Sequence, residues 1–363
     1  MSSSPSAPPY LMVKALGSFR SLLLKLYRRL FPGSVVLYEQ FQSFWLLQPL
    51  YIAAELDIAG YIKERPLSVE DLAIKTNTQT EALYRVLRAL ASEGIFTELP
   101  GRMFKLNSTS RALLEGNGSM RNMIIHHLGT INWSASGNLM HTVKTGENAF
   151  KSLFGMNIYP FLQEHPENMQ CFENSMSELS ELALYPVLSR YDFSKCRTVA
   201  DIGGGVGLLL SKILEKYPSL QGRLFDLPEN ARKAAEHIES CGLGGRMSFV
   251  PGSFLEPFSL EADVYLMKNV LHNWDDEQCI GILENLKVSM GINAKLLILE
   301  MVVPGPGIAS YAKMVDVQML TAMPGGKERT KEEFTRLLRK SGFKLTKMIP
   351  TVAPLSILET APE

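Results

Sequence analysis

Residues 197–207, RTVADIGGGVG, decide the fold, because an apolar stretch runs directly into closely spaced glycines. The apolar positions predict a buried strand, and the glycines permit a tight turn that a ligand can approach closely. Residues 208–218, LLLSKILEKYP, then have the periodicity of a helix. A strand, a glycine-rich turn and a helix in this order are typical of the ligand-binding end of an α/β sheet.

Downstream of this turn, apolar strand patterns alternate with helical patterns. Such alternation predicts a parallel sheet with helices on both faces, so we expect a Rossmann-like, doubly wound α/β domain over residues 191–363. Ligands bind such sheets at the carboxyl ends of the strands, and the motifs that follow the strands should therefore share one crevice. The segments that carry strands are 197–205, 222–228, 246–254, 262–274 and 293–304.

Two aspartates at strand ends bear on which nucleotide the crevice binds. Nicotinamide and flavin enzymes also use closely spaced glycines, with a pyrophosphate at the helix N-terminus. Asp201 stands just before the glycines, where an acid repels pyrophosphate but attracts the cationic amino-acid end of S-adenosylmethionine. Asp226 ends the second strand, where a carboxylate can accept both ribose hydroxyls, as it also does in NAD enzymes. Asp201 therefore favours S-adenosylmethionine, with capping of the next helix as its alternative role.

Residues 34–190 have helical periodicity, and we expect them to form an all-helical, winged-helix-like domain. Three helical patterns lead into residues 96–107, which alternate about a Pro-Gly turn and so predict a hairpin. A winged helix that reads DNA needs a basic second helix and a basic wing, whereas here the bases are mixed with acids. A scaffold for subunit contact is therefore favoured over a DNA reader. The helical patterns lie at 40–62, 68–76 and 78–96.

Residues 1–33 differ from both domains. The first nine, MSSSPSAPP, predict a disordered leader. Residues 11–31 place lysine, arginine and serine at helical spacing among leucines, and no acid occurs before Glu39. Such a basic amphipathic helix suits the surface of an anionic membrane, so peripheral membrane contact is one interpretation. Packing on a partner subunit or on the protein's own core is the other, and the sequence favours neither.

Composition excludes several classes of function. The 37 basic and 37 acidic residues cancel, so no overall field attracts nucleic acid. The four cysteines lie far apart, without CxxC or Cys/His metal spacing, which indicates a reduced compartment and argues against structural zinc. We therefore expect a cytoplasmic protein that binds neither nucleic acid nor a metal.

Five motifs resemble, in order and spacing, those of the small-molecule O-methyltransferases of the caffeate and acetylserotonin type. The resemblance covers about residues 40–363, and it is specific because five motifs recur rather than one glycine turn. It implies an S-adenosylmethionine-binding Rossmann-like domain, an N-terminal helical dimerisation domain, and a homodimer in which the partner helps to close the substrate pocket. The motifs are VADIGGGVG (199–207), FDLP (225–228), LMKNVLHNWDDE (266–277), LILEMVVP (297–304) and PGGKERTKEEF (324–334).

By position, His272 resembles the general base of this family, and Glu300 and Glu328 resemble the two acids that flank and orient it. Such a base suits the reaction, because a phenol with a pKa of about 10 is mostly protonated at neutral pH and an imidazole can take its proton. A carboxylate on the far ring nitrogen fixes the tautomer and stabilises the imidazolium. The resemblance assigns Asp201, Gly203, Gly205, Asp226, Ser253, Phe254, Lys268 and Trp274 to the cofactor, and Phe172, Met176, Asn273, Met319 and Met323 to the acceptor.

Three residues depart from the common form of this family. Ser253 stands where an Asp usually binds the adenine amine, so that hydrogen bond loses its charge. Asn273 replaces a frequent Asp after the base, and Met323 stands where plant phenolic enzymes often have Asn. Together with Met319 and Phe172, Met323 predicts an apolar acceptor pocket that adapts to the shape of its ligand.

The residues that adjoin the candidate base and acids have simpler explanations. Asp275, Asp276 and Glu277 predict the first turn of a helix, where acids favour the helix dipole. Arg329 is expected in a surface ion pair, and Thr330 is expected as the N-cap of the helix that follows. None of these residues is given a catalytic role.

The predicted function is transfer of a methyl group from S-adenosylmethionine to a hydroxyl of a small, aromatic or polyketide-like molecule, with His272 as the base. One alternative keeps the fold and the cofactor but replaces methyl transfer with decarboxylation, hydroxylation or a pericyclic step. Ser253 and Asn273 leave room for that alternative. A winged-helix regulator is the third hypothesis, and it would make the base and the acids incidental.

Overall fold

A computed structural model describes residues 10–116 and 118–363. The predicted disordered leader, residues 1–9, lies outside the described residues. The chain forms two compact units, and the predicted domain boundaries at residues 33/34 and 190/191 stay predictions. The sheet unit comprises Tyr10, Ala135–Phe161 and Ser180–Glu363, and the helical unit comprises Leu11–Ser134 and Leu162–Leu179.

Helices and strands are numbered in chain order. The α-helices are α1 (Tyr10–Leu30), α2 (Gly33–Gln42), α3 (Phe44–Glu55), α4 (Ile58–Tyr61), α5 (Val69–Thr76), α6 (Thr80–Ser92), α7 (Arg121–Leu128), α8 (Thr130–Gly137), α9 (Leu139–Thr145), α10 (Ala149–Phe154), α11 (Ile158–Glu164), α12 (Pro166–Arg190), α13 (Leu208–Lys216), α14 (Ala231–Ser240), α15 (Asp276–Ser289), α16 (Tyr311–Ala322) and α17 (Lys331–Lys340). The strands are β1 (Leu67–Ser68), β2 (Thr97–Leu99), β3 (Met103–Lys105), β4 (Thr198–Ile202), β5 (Gln221–Asp226), β6 (Met247–Pro251), β7 (Val264–Lys268), β8 (Lys295–Val303), β9 (Arg329–Thr330), β10 (Phe343–Pro350) and β11 (Leu355–Pro362).

The sheet unit is built on a mixed sheet with the strand order β10-β11-β8-β7-β4-β5-β6. Strands β4 to β8 run parallel, and β10 and β11 form an antiparallel hairpin beside β8. Strands β4, β7 and β8 are buried along most of their length, because apolar clusters cover both faces of the sheet. The predicted Rossmann-like, doubly wound domain is confirmed. The antiparallel hairpin is an addition that the alternation of strands and helices does not indicate.

The order of the strands places a crevice at the carboxyl ends of β4 and β7. Strand β4 pairs with β5 on one side and with β7 on the other, so the chain reverses its direction of winding between them. The glycine turn follows β4 at Ile202, and a short 3-10 turn, Leu271–Asn273, comes soon after β7 ends at Lys268. Strand β8 lies beside β7 and carries Glu300. The candidate residues of the sheet unit therefore meet at one edge of the sheet.

The helical unit packs α3, α5 and α6 around an apolar core beside the small antiparallel sheet β1-β3-β2. Ser68 begins α5 as its N-cap, with its Oγ accepting the amide N–H of Asp71 at 3.1 Å. Helix α6 buries Leu83, Leu87 and Leu90 at helical spacing. The predicted hairpin is present as β2 and β3, while the winged-helix classification stays a prediction.

Helix α1 buries none of its residues. Its apolar side chains remain in contact with solvent, with Phe19 57% exposed, Leu23 49% exposed and Leu26 48% exposed. Across residues 10–116 and 118–363, no helix combines the length and the apolar character needed to cross a membrane. The amphipathic pattern predicted for this segment therefore belongs to a surface helix.

Candidate functional site

The glycine turn combines close packing below with open space above. Gly203, Gly205 and Gly207 have positive φ angles of 69°, 61° and 89°, which side chains rarely adopt. A Cβ added to Gly203 would lie 3.1 Å from Val270 Cγ2, so the turn packs tightly at this point. A Cβ added to Gly205 would meet no atom of the described residues within 4 Å, so space remains above the turn at this residue.

Asp201 is a buried acid immediately below the turn. Asp201 is 2% exposed. Burial raises the pKa of Asp201 to about 7, although the charge of Lys268 opposes that shift. Helix α13 has Gly207, not Asp201, at its N-cap position, and no side chain caps it. The helix-capping role is therefore not what Asp201 does. A positive charge bound next to Asp201 would stabilise the ionised form of this buried carboxyl group.

Asp226 ties the end of the second parallel strand to the glycine turn. Its Oδ2 accepts the amide N–H of Gly205 at 2.7 Å. Its Oδ1 accepts the amide N–H of Leu227 at 2.7 Å and the side-chain amide of Asn230 at 2.8 Å. The carboxylate is therefore held in one orientation at the rim of the crevice.

Four further residues assigned to the cofactor lie in the sheet unit. Lys268 Nζ donates to Ser180 Oγ at 2.9 Å, and burial lowers the pKa of Lys268, opposed by Asp201 and Glu300. The ring centroids of Phe254 and Trp274 are 6.2 Å apart, with their planes at 84°. Ser253 Oγ accepts the amide N–H of Leu255 at 3.2 Å, and this hydrogen bond belongs to a local turn.

His272 lies on the 3-10 turn Leu271–Asn273, between two buried acids. Its Nδ1 is 2.8 Å from Glu328 Oε1 and 3.8 Å from Glu300 Oε2. Its backbone N–H donates to Glu300 Oε1 at 3.3 Å. The side chains of both acids are 0% exposed, whereas that of His272 is 16% exposed. Because Nδ1 faces an acid, Nε2 is the ring nitrogen left for another partner.

The charges at this triad raise the pKa of His272. Burial by itself lowers the pKa of His272, but the charge of Glu300 and the hydrogen bond and charge of Glu328 outweigh burial and raise it. Burial is also the main cause that raises the pKa of Glu300. Oε2 of Glu300 and Oε2 of Glu328 have no hydrogen-bond partner among the described residues. The triad thus contains more acceptor capacity than the chain itself uses.

The same triad bears on the prediction that no metal is bound. His272, Glu300 and Glu328 can each offer one ligand atom, and these atoms all lie within 4.8 Å of one another. Among the described residues, no other group of three or more acids, histidines or cysteines brings its possible ligand atoms this close together. The absence of a metal therefore stays a prediction.

Two glycines allow the loop that carries Glu328 to lie directly on the His272 turn. Gly325 has φ of +75°, and a Cβ on Gly326 would lie 2.8 Å from the carbonyl oxygen of His272. The amide N–H of Lys327 donates to that same carbonyl at 2.9 Å. The amide N–H of Glu328 donates to Asp316 Oδ1 on α16 at 2.9 Å. Side chains at these glycines would push Glu328 away from the imidazole.

Arg329 corrects the sequence-based expectation of a surface ion pair. The residue is 0% exposed, and its guanidinium reaches back to the turn that holds His272. It donates to the carbonyl oxygens of Leu271 and Trp274, each at 2.8 Å, and to Asp276 Oδ1 at 2.9 and 3.0 Å. The sequence did not indicate this role, because an arginine just before the start of a helix is usually exposed to solvent. The available signal was its position next to Glu328 in the motif.

The predicted helix starts on either side of the triad are present. Asp275 is the N-cap of α15 and forms a capping box with Gln278. Thr330 is the N-cap of α17 and forms a capping box with Glu333. Thr330 therefore has the role that the sequence predicts, and Asp276 and Glu277 lie in the first turn of α15 as predicted, whereas Asp275 is the N-cap and not a residue of that turn.

Three residues assigned to the acceptor lie beside the triad in the sheet unit. Asn273 donates through Nδ2 to the carbonyl oxygen of Asn269 at 3.2 Å. Met319 is buried near the end of α16, and Met323 follows that helix; a Cβ on Gly326 would lie 3.3 Å from Met319 Cε and 2.7 Å from Met323 Cβ. The two methionines thus flank the loop that carries Glu328.

A cavity of about 670 Å³ lies in the sheet unit next to this loop. Its volume falls within the range of small-molecule sites. Met323 and Leu320 give it an apolar side, and it is also lined by Thr142, Gly146, Glu147, Asn148, Lys151, Ser152, Gly155, Asn157, Pro324, Gly325, Gly326 and Lys327.

Two other residues assigned to the acceptor, Phe172 and Met176, lie on α12 in the helical unit. The ring of Phe172 packs against His126 with centroids 5.4 Å apart, and His126 packs against His127 at 5.0 Å. Burial lowers the pKa of His126 to about 3, and the charge of His127 acts in the same direction. This histidine is therefore neutral and forms part of a half-buried aromatic cluster.

Two family models match the chain, an O-methyltransferase domain over residues 136–344 and an O-methyltransferase dimerisation domain over residues 38–116. The phenazine O-methyltransferase PhzM of Lysobacter antibioticus is 38% identical over 91% of this chain and 97% of its own. The mitomycin biosynthesis 6-O-methyltransferase of Streptomyces lavendulae is 33% identical over 88% of this chain and 91% of its own. Among solved structures, the SAH-bound form of CalO1, a methyltransferase in calicheamicin biosynthesis, is 30% identical, with a TM-score of 0.79 over 91% of this chain and 98% of its own.

Proposed function

This chain is an S-adenosylmethionine-dependent enzyme of the O-methyltransferase family, and we propose that His272 is its general base. The resemblance drawn from the five motifs is confirmed by the family models, and the dimerisation domain supports a homodimer. We propose that the acceptor is a hydroxyl on a small aromatic or polyketide-like molecule. Relatives named for phenazine and mitomycin support that class of acceptor.

One observation carries the proposal for His272. Its Nδ1 is 2.8 Å from the buried carboxylate of Glu328, which fixes Nδ1 as the protonated nitrogen of the neutral ring. Nε2 then keeps its lone pair and can take the proton of an acceptor hydroxyl. Such general-base catalysis is worth ~10²–10⁴-fold. The buried carboxylates of Glu328 and Glu300 stabilise the imidazolium that results, as the acid of a catalytic triad does.

The residues around the glycine turn fit the cofactor. S-adenosylmethionine supplies an electrophilic methyl group on a sulfonium centre. The buried acid Asp201 suits its cationic amino-acid end, and the open space above Gly205 allows the ligand to approach the main chain. Asp226, held at the rim by Gly205, presents a carboxylate to the ribose hydroxyls. Gly203, Ser253, Phe254, Lys268 and Trp274 are proposed to complete this site.

The acceptor is proposed to meet an apolar surface. Met319 and Met323 flank the loop that carries Glu328, and methionine adapts to ligands of different shape. Phe172, Met176 and Asn273 remain proposed acceptor residues on the basis of the motifs.

Labelled-methyl transfer over a panel of phenols and hydroxylated polycyclic molecules tests this function. We expect labelled ether product, and we expect His272→Ala to lower kcat by ~10²–10⁴-fold while the cofactor Kd holds. His237→Ala is the matched control, because His237 is partly buried and donates to or accepts from Ser211 at 3.0 Å. An unchanged rate in His272→Ala would contradict the base. Cofactor binding without any labelled product would favour a non-methylating reaction. Absence of cofactor binding would favour the winged-helix regulator.

We further propose that α1 contacts an anionic membrane surface. The helix buries none of its residues, and its apolar face presents Phe19, Leu23 and Leu26 to solvent. Residues 1–38 contain five bases and no acid, whereas the rest of the chain contains five more acids than bases. Positive charge is therefore concentrated on a helix whose apolar side chains are exposed, as in helices that lie in the membrane interface. Helix α1 also precedes the matched dimerisation domain, which begins at residue 38.

Vesicle flotation tests the membrane contact with the full chain. We expect binding to vesicles that contain phosphatidylglycerol, weaker binding at high salt, and little binding to phosphatidylcholine alone. Replacing Lys25, Arg28 and Arg29 with Gln should lower partition by about 100-fold, because each base near an anionic surface contributes about 1 kcal/mol. Gln at Lys63, Arg65 and Arg85, which are exposed bases outside α1, is the matched control. A dimer that dissociates when Phe19 and Leu23 become Ser, without any vesicle binding, would assign α1 to the partner subunit instead.

A further inference from the structure

The side chain of Arg329 donates hydrogen bonds to the main chain on both sides of His272. Nη1 donates to the carbonyl oxygen of Leu271, and Nη2 donates to the carbonyl oxygen of Trp274, each at 2.8 Å. Asp276 Oδ1 accepts from Nη2 at 2.9 Å and from Nε at 3.0 Å. One guanidinium therefore binds the residue before His272, the second residue after it, and the first residue of α15.

Because Arg329 is buried, these hydrogen bonds are needed to offset the free-energy cost of removing its charge from water. The residue is 0% exposed, although moving a guanidinium out of water costs free energy unless its donors are satisfied. Among the described residues, its side-chain hydrogen bonds all go to residues 271–276, so the charge is stabilised by this one turn. The planar fork of arginine can reach two carbonyls and a carboxylate at once, which the single ammonium of lysine cannot reproduce.

Arg329 also connects the turn to both acids of the triad. It directly follows Glu328, whose carboxylate binds His272 Nδ1 at 2.8 Å. It lies on the short strand β9 and pairs with Val302 of β8, two residues after Glu300. The imidazole and its main chain are thus held by adjacent residues, Glu328 on the ring and Arg329 on the backbone.

We propose that Arg329 is a positioning residue that sets the distance of the His272 ring from the acceptor oxygen by fixing the carbonyls of Leu271 and Trp274. The proposal rests on the proposed role of His272 as the base. Displacement of a reacting group by about 1 Å can cost ~10²-fold in rate. In the described part of the chain, no hydrogen bond joins the guanidinium of Arg329 to either ring nitrogen of His272, so the effect of Arg329 passes through the main chain.

Arg329→Lys is the first test, because it keeps the charge and removes the fork. We expect kcat to fall on the order of 10²-fold, with the cofactor Kd within about twofold of that of the original protein. Arg246→Lys is the matched control, since Arg246 is a partly buried arginine in the same unit whose Nη1 binds the carbonyls of Leu214 and Leu220 at 3.0 and 3.3 Å. Equal loss of kcat in both variants would overturn the proposal, because it would reflect general destabilisation.

The pH profile of kcat separates positioning from a loss of stability. Glu300, Glu328 and Lys268 are the charged groups that act on His272, and the two acids raise its pKa. A turn that moves away from them should bring this pKa down, so the acid limb of the profile should shift to lower pH in Arg329→Lys. An unshifted limb at reduced kcat would contradict movement of the ring.

Two further variants keep the test decisive if Arg329→Lys folds poorly. Asp276→Asn leaves the guanidinium on both carbonyls and removes its charged partner, so we expect a smaller fall in kcat with the same direction of limb shift. Arg329→Ala leaves a space where added guanidinium ion should restore part of kcat, and no such rescue is expected in Arg246→Ala. A normal rate in His272→Ala would contradict both the role of His272 as the base and the positioning role of Arg329. A slow His272→Ala together with normal rates in the Arg329 and Asp276 variants would contradict only the positioning role of Arg329.

Discussion

Glu328 Oε1 lies 2.8 Å from Nδ1 of His272, in a site where the side chain of the acid is 0% exposed. The two residues are 56 positions apart in the chain, and the loop that carries Glu328 lies on the His272 turn through the amide of Lys327. This relationship orients the ring and raises its pKa at the same time. A base that must be neutral is thus held by a group that favours its charged form.

Glu328→Gln should separate orientation from charge. The amide can still accept the Nδ1 proton, but the carboxylate that stabilises the imidazolium is lost, so we expect kcat to fall by ~10²-fold or more. Because Glu328 raises the pKa of His272, its removal lowers that pKa and should move the acid limb of kcat to lower pH. Steady-state rates between pH 5 and 9 provide the measurement. Glu332→Gln, an exposed acid on α17, should leave both quantities unchanged.

Glu300→Gln should shift the same limb with a smaller fall in kcat. Glu300 Oε2 is 3.8 Å from Nδ1, so it acts on the ring mainly through its charge, while its Oε1 accepts the backbone N–H of His272 at 3.3 Å. Glutamine can retain the backbone contact. The pH profiles of Glu300→Gln and Glu328→Gln, measured side by side, make the comparison. A larger loss of kcat in Glu300→Gln would reverse the proposed division of roles.

Asp201 should make cofactor binding depend on pH. Burial raises the pKa of Asp201 to about 7, so its carboxylate becomes ionised as pH rises through neutrality. If it attracts the cationic end of S-adenosylmethionine, cofactor affinity should rise several-fold between pH 6 and 7.5. Calorimetry of Asp201→Asn should show weaker binding without this dependence. Glu284→Gln, an exposed acid, should behave as the original protein does.

The same aspartate should affect stability in the opposite sense. A pKa raised in the folded state means that the stabilising contribution of Asp201 is present at low pH and is lost as pH rises through about 7. Without ligand, the melting temperature of the original protein should therefore decline from pH 5.5 to 8 relative to that of Asp201→Asn. Parallel melting curves for the two proteins would contradict the raised pKa.

Gly326→Ala should slow catalysis without removing the cofactor. The added Cβ would lie 2.8 Å from the carbonyl oxygen of His272, so the loop must move and carry Glu328 with it. We expect kcat to fall by roughly 10–10²-fold with an unchanged cofactor Kd. Gly305→Ala is the matched control in another loop, because its Cβ would meet nothing within 4 Å. A rate equal to that of the control would show that the loop can relax without disturbing the triad.

Several features of this protein follow from the sequence because they depend on local pattern. The strand, glycine turn and helix at 197–218 specify one end of the sheet, since burial and positive φ angles impose the residue types. Asp275 and Thr330 begin helices by accepting the amide N–H groups of Gln278 and Glu333, each only three positions further along the chain. The family motifs extend this local pattern to the identity of the cofactor and the reaction class.

The tertiary structure alone decided what Arg329 does. From its sequence context it predicts an exposed ion pair, but the fold buries it against carbonyls 55 and 58 positions away. Main-chain carbonyls have no sequence signature, so no pattern of side chains could indicate that the guanidinium meets them. The same reason limits prediction of the triad: the residue types of His272, Glu300 and Glu328 can be recognised, whereas the distances that separate orientation from charge arise only when β8, β9 and the His272 turn pack together.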